Sequence, residues 1–128
     1  MSAATRSVRR AGPASSFSPA ATCATGGVVQ GGFVAGWVDT TMAQATMALV
    51  GKAFVPMTLE MKVSYFAPAR PGTVFAEGWV ERQGRKVCFA EGRLLDASGA
   101  VLAKASSTLR LSPREQVEAA SRAAVTPN

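Results

Sequence analysis

The longest pattern in the chain is an apolar segment from Phe33 to Val50, which contains no proline and a single charged residue, Asp39. Apolar residues fall on nearly every side of a helix drawn through this segment, which predicts a buried helix that other elements must cover. Asp39, Gln44 and several threonines would make insertion into a bilayer costly. We therefore interpret the segment as a core helix and not as a membrane span.

After the helix, hydrophobic and polar residues alternate with a period of two, which is typical of half-buried strands. The first predicted strand has an inward face of Leu59, Met61, Val63 and Tyr65. Further strands are predicted over about 73–82, 86–95 and 100–111, joined by turns at Gln83-Gly84 and Asp96–Gly99. In the last strand the predicted inward residues are Val101, Ala103, Ala105 and Leu109.

One long apolar helix followed by four antiparallel strands predicts an α+β domain with a sheet curled around the helix. Residues 1–22 are rich in Ala, Ser, Pro and Arg and contain few large apolar groups, so they are predicted to form a flexible arm. The folded domain is expected over 23–112. Ser112-Pro113-Arg114-Glu115 has the capping residues of a helix start, which predicts a short helix to about Ala124 and a tail within 113–128.

The absence of histidine narrows the possible chemistry. With no histidine in the chain, His-based nucleophilic triads, His-ligated metal sites and His-dependent dehydration are excluded. Cys23 and Cys88 show no metal-ligand spacing and no disulfide framework, which suits a reducing cytoplasm. We expect no metal, and chemistry that depends on carboxylates, hydroxyls and backbone amides.

The formal net charge of +6 indicates an anionic partner such as a nucleotide, a phosphorylated cofactor or nucleic acid. The alternative is that Arg6, Arg9 and Arg10 simply belong to a solvated arm. A hydrophobic content of 48% against 17% charged residues leaves more apolar surface than one small domain can cover. A homo-oligomer is therefore expected.

From Gly27 to about Leu111 the chain resembles the hotdog-fold thioesterases of the phenylacetate-degradation type. In that family a glycine precedes a histidine by three residues, Gly-Gly follows the histidine, and the acid of the helix comes nine residues after it. The matching positions here are Gly27, Gln30, Gly31, Gly32 and Asp39. The later segments Tyr65–Gly72, Gly84-Arg85 and Asp96–Gly99 resemble the family's strand and loop signatures in order and spacing.

Two departures from the family pattern affect the expected mechanism. Gln30 stands in the histidine position, and Ala24 stands where an asparagine is often found. A glutamine donates and accepts hydrogen bonds but does not titrate, so Gln30 is expected to position the substrate and not to transfer a proton. A water-orienting group would then have to come from Thr22, Thr25 or Gln30.

Thioester hydrolysis needs hydrogen-bond donors at the developing oxyanion and a base or nucleophile near the carbonyl carbon. The open amides of a helix start supply such donors, so we assign the Gly31 amide as the main one, with Gly32 leaving room for the carbonyl. Asp39 is expected to act either as general base or as nucleophile. It lies eight residues after Gly31, or roughly 12 Å along a helix, so the site requires Gly31 and Asp39 from different subunits, as the resemblance also implies.

Other residues are candidates for supporting roles. Thr58 aligns with a position that resembles the family's water-holding hydroxyl, although an ordinary outward strand threonine explains it equally well. Basic residues at strand ends and turns could hold the phosphates of coenzyme A or form a solvated rim: Arg70, Arg82, Arg85 and Lys86. Large apolar residues could line an acyl pocket or belong to the core: Phe33, Trp37, Met42, Met57 and Phe66.

The leading hypothesis is an acyl-CoA thioesterase for a medium-chain or aryl acyl group, assembled as a homodimer and further as a homotetramer, with no cofactor beyond the CoA of its substrate. The alternative on the same fold is a non-catalytic module that binds or senses acyl-CoA, which the departures at Gln30 and Ala24 would suit. A nucleic-acid binder is a third possibility, but the basic residues are scattered and lack interleaved aromatic residues. We expect neither nucleic acid nor a membrane as a partner.

Overall fold

The computed structural model describes residues 14–17, 24–25 and 27–125. Its main sheet is antiparallel and has five strands in the order β1-β5-β6-β7-β4, while β2 and β3 form a separate pair. The elements in chain order are β1 Ala14–Phe17, β2 Ala24–Thr25, β3 Val28–Val29, α1 Gly31–Val50, β4 Phe54–Tyr65, β5 Val74–Gln83, β6 Val87–Leu95, β7 Val101–Pro113 and α2 Arg114–Val125.

The predicted helix and four strands are confirmed, with shifted ends. Helix α1 begins at Gly31, two residues before the predicted start. Strand β4 begins at Phe54 and includes Pro56, which pairs with Leu111 of β7. Proline is tolerated there because β4 is an edge strand that pairs on one side only, so fewer of its backbone N–H groups are needed as hydrogen-bond donors to a neighbouring strand.

Part of the predicted flexible arm is a strand. Ala14–Phe17 pairs antiparallel with Val74–Glu77 of β5 and so forms the other edge of the sheet. Within the segment predicted as a flexible arm over 1–22, the structure thus places a strand at 14–17. The segment was missed because an open strand edge accepts backbone hydrogen bonds from a chain of almost any composition. Residues 1–13 and 18–23 lie outside the described residues.

Helix α1 packs against one face of the sheet at two glycines. Gly78 of β5 pairs with Gly92 of β6. A Cβ atom at Gly78 would lie 2.8 Å from the Thr41 carbonyl oxygen, and one at Gly92 would lie 2.8 Å from Cγ1 of Val38. The helix can therefore approach the sheet closely only because both residues lack a side chain.

The core lies between α1 and the inner face of the sheet. Its fully buried large side chains include Met42, Leu94 and Leu109. The inward face predicted for β7 is confirmed at Ala103 and Ala105, which are buried, and at Leu109. The two-residue alternation predicted these inward residues of β7 correctly because β7 is an inner strand with one face packed on the helix.

Strand β4 departs from the predicted alternation at a bulge. The register shifts between Thr58 and Glu60, and the intervening Leu59 is 60% exposed. Met61 and Val63 are half-buried against the core. Thr58 pairs with the buried Leu109 and therefore lies on the helix side of the sheet. The bulge thus gives this threonine access to α1.

Helix α2 begins at Arg114, within the predicted capping sequence, and its start is held by the loop between α1 and β4. The Arg114 amide donates to the Ala53 carbonyl at 2.8 Å, and its Nε donates to the Lys52 carbonyl at 2.7 Å. The predicted short C-terminal helix is confirmed in position. None of its residues is buried.

Candidate active site

The start of α1 presents two open hydrogen-bond donors. The N-cap residue Gln30 is extended, and its side chain does not cap the helix. Its carbonyl accepts hydrogen bonds from the amides of Phe33 at 3.1 Å and Val34 at 3.4 Å. Among the described residues, the N–H groups of Gly31 and Gly32 have no acceptor. The helix dipole adds partial positive charge at this end, so the two amides are suited to bind a negatively charged oxygen.

Gly31 and Gly32 line a pocket of about 510 Å³. The loop after β4 is fixed beside the helix start by a 2.7 Å hydrogen bond from the Val29 amide to the Ala69 carbonyl. The pocket is lined mainly by small and apolar residues from β3, the first turn of α1, the end of β4, this loop and β7. They are Val28, Val29, Gly31, Gly32, Val34, Tyr65, Phe66, Ala67, Pro68, Ala69 and Leu102.

Tyr65 contacts the first turn of the helix. Its hydroxyl donates a 2.9 Å hydrogen bond to the Gly31 carbonyl. A Cβ atom at Gly31 would lie 3.1 Å from the Tyr65 hydroxyl oxygen, whereas one at Gly32 would meet nothing within 4 Å. Sequence reasoning placed Tyr65 on the inward face of a strand and missed this contact. No periodicity could have found it, because the two residues are 34 positions apart.

Asp39 is a half-buried residue, and its carboxylate is held by β4. The Thr58 hydroxyl donates to its Oδ1 at 2.7 Å. No ion pair to Asp39 occurs within the part of the chain that the structure describes. The structure thus brings together two of the predicted site residues, and it leaves the second carboxylate oxygen available to a water molecule or a substrate.

The open amides and the carboxylate form two separate half-sites in one chain. Gly31 and Asp39 are eight residues apart on α1, which corresponds to about 12 Å along the helix axis. Tyr65 and Thr58, which contact them, are likewise separated along β4. One thioester carbonyl cannot reach both groups in a single chain.

The four basic candidates fall at two ends of the molecule. Arg70 lies in the loop beside the helix start, directly after the buried Ala69. Arg82, Arg85 and Lys86 belong to the β5–β6 hairpin, at the same end of the sheet as Thr58. All four side chains are exposed. A single chain therefore does not gather the predicted phosphate-binding residues into one cluster.

The apolar candidates also separate into different environments. Phe33 is 42% exposed and lies 6.2 Å from the half-buried Trp37, measured between ring centroids. Phe66 lines the pocket at the helix start and is 60% exposed. Met42 belongs to α1 and is fully buried in the core, so the alternative that it belongs to the core is correct. Met57 pairs with the exposed Arg110, away from the pocket.

Other chemistry is less well supported by the described residues. Burial raises the pKa of the Cys88 thiol, which disfavours the reactive thiolate. Within 14–17, 24–25 and 27–125, no three potential ligands among Asp, Glu and Cys are grouped so that they could hold a metal ion.

In the same part of the chain, neither helix has the length and apolar character needed to cross a membrane. The cytoplasmic location stays a prediction.

A long helix packed on an antiparallel sheet, with open amides at its start and a carboxylate two turns later, is the arrangement of a hotdog protein. Residues 26–103 match the family model of the thioesterase superfamily. The chain belongs to this family, and the α+β hotdog fold predicted from the sequence is confirmed.

Individual relatives agree with this assignment. A provisionally named esterase of Saccharolobus solfataricus is 35% identical over 80 residues, which are 62% of this chain and 56% of that protein. The chain thus spans little more than half the length of this curated relative. A provisionally named thioesterase, a phenylacetic acid degradation-related protein of Ralstonia eutropha JMP134, is similar in structure with a TM-score of 0.72 at 28% identity, over 76% of this chain and 74% of that one.

A third protein shares the fold at lower sequence identity. It is a Streptococcus mutans UA159 protein whose crystal structure was determined bound to acetyl-CoA, and it has a TM-score of 0.74 at 16% identity over 82% of this chain and 84% of its own. At that identity the similarity concerns the fold alone.

Proposed function

We propose that the protein hydrolyses an acyl-CoA thioester to a free acid and CoA at a site formed between two copies of the chain. The observation that carries the proposal is the 2.7 Å hydrogen bond by which Thr58 orients the half-buried Asp39. Membership of the thioesterase superfamily supports the reaction class. The structure of a Streptococcus mutans protein bound to acetyl-CoA shows that this fold can hold a CoA thioester.

One copy would bind the thioester carbonyl with the amides of Gly31 and Gly32. These donors stabilise the negative charge that develops on the carbonyl oxygen, and they need no reorganisation during the reaction. Gln30, directly before them, would position the substrate through its amide group. The pocket beside these residues would receive part of the substrate, with Phe66 on its wall.

The second copy would supply Asp39. As general base, the carboxylate accepts a proton from water while the water oxygen attacks the carbonyl carbon; collapse of the tetrahedral intermediate breaks the C–S bond, and the departing thiolate takes up a proton. As nucleophile, the carboxylate oxygen attacks the carbonyl carbon itself, and the C–S bond breaks as the CoA thiolate leaves and takes up a proton; water then hydrolyses the resulting mixed anhydride to the free acid and the carboxylate. In both routes the Thr58 hydroxyl holds one carboxylate oxygen so that the other faces the substrate.

The exposed edge of β4 supports an arrangement in which the two half-sites meet. This strand has 12 residues, lies at the edge of the sheet, and carries the exposed side chains of Leu59 and Tyr65. Antiparallel pairing of two such edges would bring the Tyr65 end of one strand beside the Thr58 end of the other. It would also bring Arg70 of one copy towards the basic hairpin of the other, which suits a substrate with several phosphates.

Further association into a tetramer remains part of the proposal. Phe75 and Phe89 lie on the face of the sheet opposite α1 and are 39% and 46% exposed. Two dimers could cover these side chains by packing sheet against sheet. A medium-chain or aryl acyl group is the proposed substrate class.

The test is release of free thiol from short, medium, long and aryl acyl-CoAs by the native protein and by Asp39→Asn. Asparagine keeps the shape of the side chain and can still accept the Thr58 hydrogen bond, but it is neither a base nor a nucleophile. We expect turnover to fall by at least about 100-fold, while acyl-CoA binding and the oligomeric state measured by size-exclusion chromatography persist. Glu60→Gln is the matched control, since Glu60 is an exposed carboxylate on the strand that carries Thr58, on the face away from α1.

Equal turnover in the native protein and in Asp39→Asn would contradict the proposed role of Asp39. A native protein that binds acyl-CoA but releases no thiol from any substrate would instead favour the non-catalytic module. Gln30 in place of a titratable histidine is the observation that keeps this second candidate open.

A further inference from the structure

The hydroxyl of Tyr65 is bonded to the same peptide group that presents one of the two open amides. Tyr65 donates to the Gly31 carbonyl at 2.9 Å. That carbonyl belongs to the peptide unit linking Gly31 to Gly32, and the N–H at the other end of this unit is the Gly32 amide. The tyrosine therefore contacts the carbonyl end of a peptide group that is formed by two residues lining the pocket.

The sheet holds the backbone of Tyr65, and the helix backbone at Gly31 holds its ring. Tyr65 is the last residue of β4 and pairs with Ala103 of β7, so its backbone is held by the sheet. Its ring lies against the Gly31 backbone, where a Cβ atom would be 3.1 Å from the hydroxyl oxygen and 3.2 Å from Cζ. The side chain is nevertheless 54% exposed. Burial of the ring is thus incomplete, whereas its hydroxyl makes a well-placed hydrogen bond.

We propose that Tyr65 is a positioning residue, which orients and polarises the Gly31–Gly32 peptide so that the Gly32 N–H becomes a stronger donor to the oxyanion. A hydrogen bond accepted by a peptide carbonyl draws electron density towards the oxygen and makes the N–H of the same unit more positive, which strengthens hydrogen bonds in a chain by about 10–30%. The inference rests on the proposed function, because it assigns the Gly32 amide to the thioester oxyanion. Tyr65 itself transfers no proton.

The expected effect on catalysis follows from the strength of an oxyanion donor. Removing one such donor completely slows the chemical step by about 100-fold to 1000-fold. Losing about 10–30% of the corresponding free energy gives a decrease of about twofold to eightfold in kcat. KM should change less, because the ground-state carbonyl oxygen carries less negative charge than the oxyanion.

Two changes at residue 65 test the inference in opposite directions. Tyr65→Phe keeps the ring against Gly31 and removes the hydroxyl. Biosynthetic incorporation of 3-fluorotyrosine alters residue 65 alone, because the chain contains one tyrosine, and the fluorinated phenol is a stronger hydrogen-bond donor. Ser64→Ala is the matched control: it removes a half-buried hydroxyl from the neighbouring residue, which pairs with Lys104 and faces the other side of the sheet.

The readouts are the NMR resonances of the Gly31 carbonyl carbon and the Gly32 amide nitrogen, together with kcat and KM for the best acyl-CoA, all measured at one fixed pH. We expect both resonances to move one way in Tyr65→Phe and the other way with 3-fluorotyrosine, and to stay in place in Ser64→Ala. In the same series kcat should fall by about twofold to eightfold in Tyr65→Phe and should not fall with 3-fluorotyrosine.

Unchanged resonances in Tyr65→Phe would overturn the inference, as would shifted resonances with native kcat in an active enzyme. If the native protein hydrolyses no acyl-CoA, the proposed function fails, and the two resonances, measured without substrate, decide whether Tyr65 polarises the peptide. If Asp39→Asn abolishes turnover while Tyr65→Phe changes neither readout, the proposed function stands and this inference alone is wrong.

Discussion

The close contact between α1 and β5 predicts that a single methyl group at Gly78 will destabilise the protein. A Cβ atom there would lie 2.8 Å from the Thr41 carbonyl oxygen and 3.0 Å from the Met42 amide nitrogen, both of which belong to the helix backbone. An ordinary contact begins at 3.4 Å, so the helix would have to move by about 0.6 Å, the difference between 3.4 and 2.8 Å. Backbone cannot rotate away as a flexible side chain can.

Overpacking of a well-packed core costs about 1–3 kcal/mol. We expect about 2 kcal/mol for Gly78→Ala, because the better strand propensity of alanine offsets only part of the strain. For a chain of this size that corresponds to a melting temperature lower by about 8 °C. Urea unfolding measures the loss of stability, and thermal unfolding measures the change in melting temperature. Both proteins are compared at one fixed concentration, since subunit association would otherwise change the apparent stability.

The matched control is the same substitution at Gly36, which is expected to stabilise the protein. Gly36 lies in the interior of α1, and a Cβ atom there would meet nothing within 4 Å. Alanine is favoured over glycine in a helix interior by up to about 1 kcal/mol, so Gly36→Ala should unfold at a higher temperature than the native protein. A Gly78→Ala protein as stable as the native one would refute the argument that the glycine is needed for close packing.

This packing also affects the candidate site. Thr41, which a methyl group at Gly78 would displace, lies two residues after Asp39 on the same helix. A shift of about 0.6 Å at Thr41 would disturb the 2.7 Å hydrogen bond between Asp39 and Thr58. We therefore expect Gly78→Ala to lower kcat even at temperatures where the protein is fully folded.

Two further predictions concern individual hydrogen bonds. Thr58→Val should lower kcat/KM by about fivefold, because it removes a bond worth about 1 kcal/mol to the Asp39 carboxylate, and it should cause little further loss when combined with Asp39→Asn; a native kcat/KM in Thr58→Val would contradict this. The Ser98 side chain and backbone amides hold the pKa of Asp96 below its usual value, so its contribution to stability is present above about pH 4 and is lost as the pH falls further. Urea unfolding should show a smaller loss of stability on acidification in Asp96→Asn than in the native protein, and equal losses would argue against the role of this carboxylate.

Local patterns predicted most of the fold. The apolar run that forms α1 and the alternation in β7 both depend on neighbours along the chain, and they were located to within a few residues. The features that were not predicted depend on contacts between residues distant in sequence. Ala14–Phe17 becomes a strand because β5 has an open edge, and Leu59 turns outward because of a bulge in the pairing with β7. Neither feature leaves a periodic signal.

The candidate site could be predicted only in part for the same reason. Gly31 and Asp39 were found through their spacing within one element and a family resemblance. The residues that hold them belong to β4, and the contacts from Thr58 and Tyr65 span 19 and 34 positions of the sequence. Thr58 was proposed from the resemblance, whereas Tyr65 was taken for a packing residue because an aromatic residue in an alternating strand ordinarily packs.

The position of strand β4 explains why a single chain contains both half-sites but does not bring them close together. It runs along α1 and fixes the helix at two points, with Tyr65 at the open amides and Thr58 at the carboxylate. Because these points are about two helical turns apart, the strand that orders each half also keeps the halves separate. Its other edge is unpaired in the described sheet. A second copy paired antiparallel along that edge would exchange the two ends, so that each thioester carbonyl could contact the amides of one chain and the carboxylate of the other.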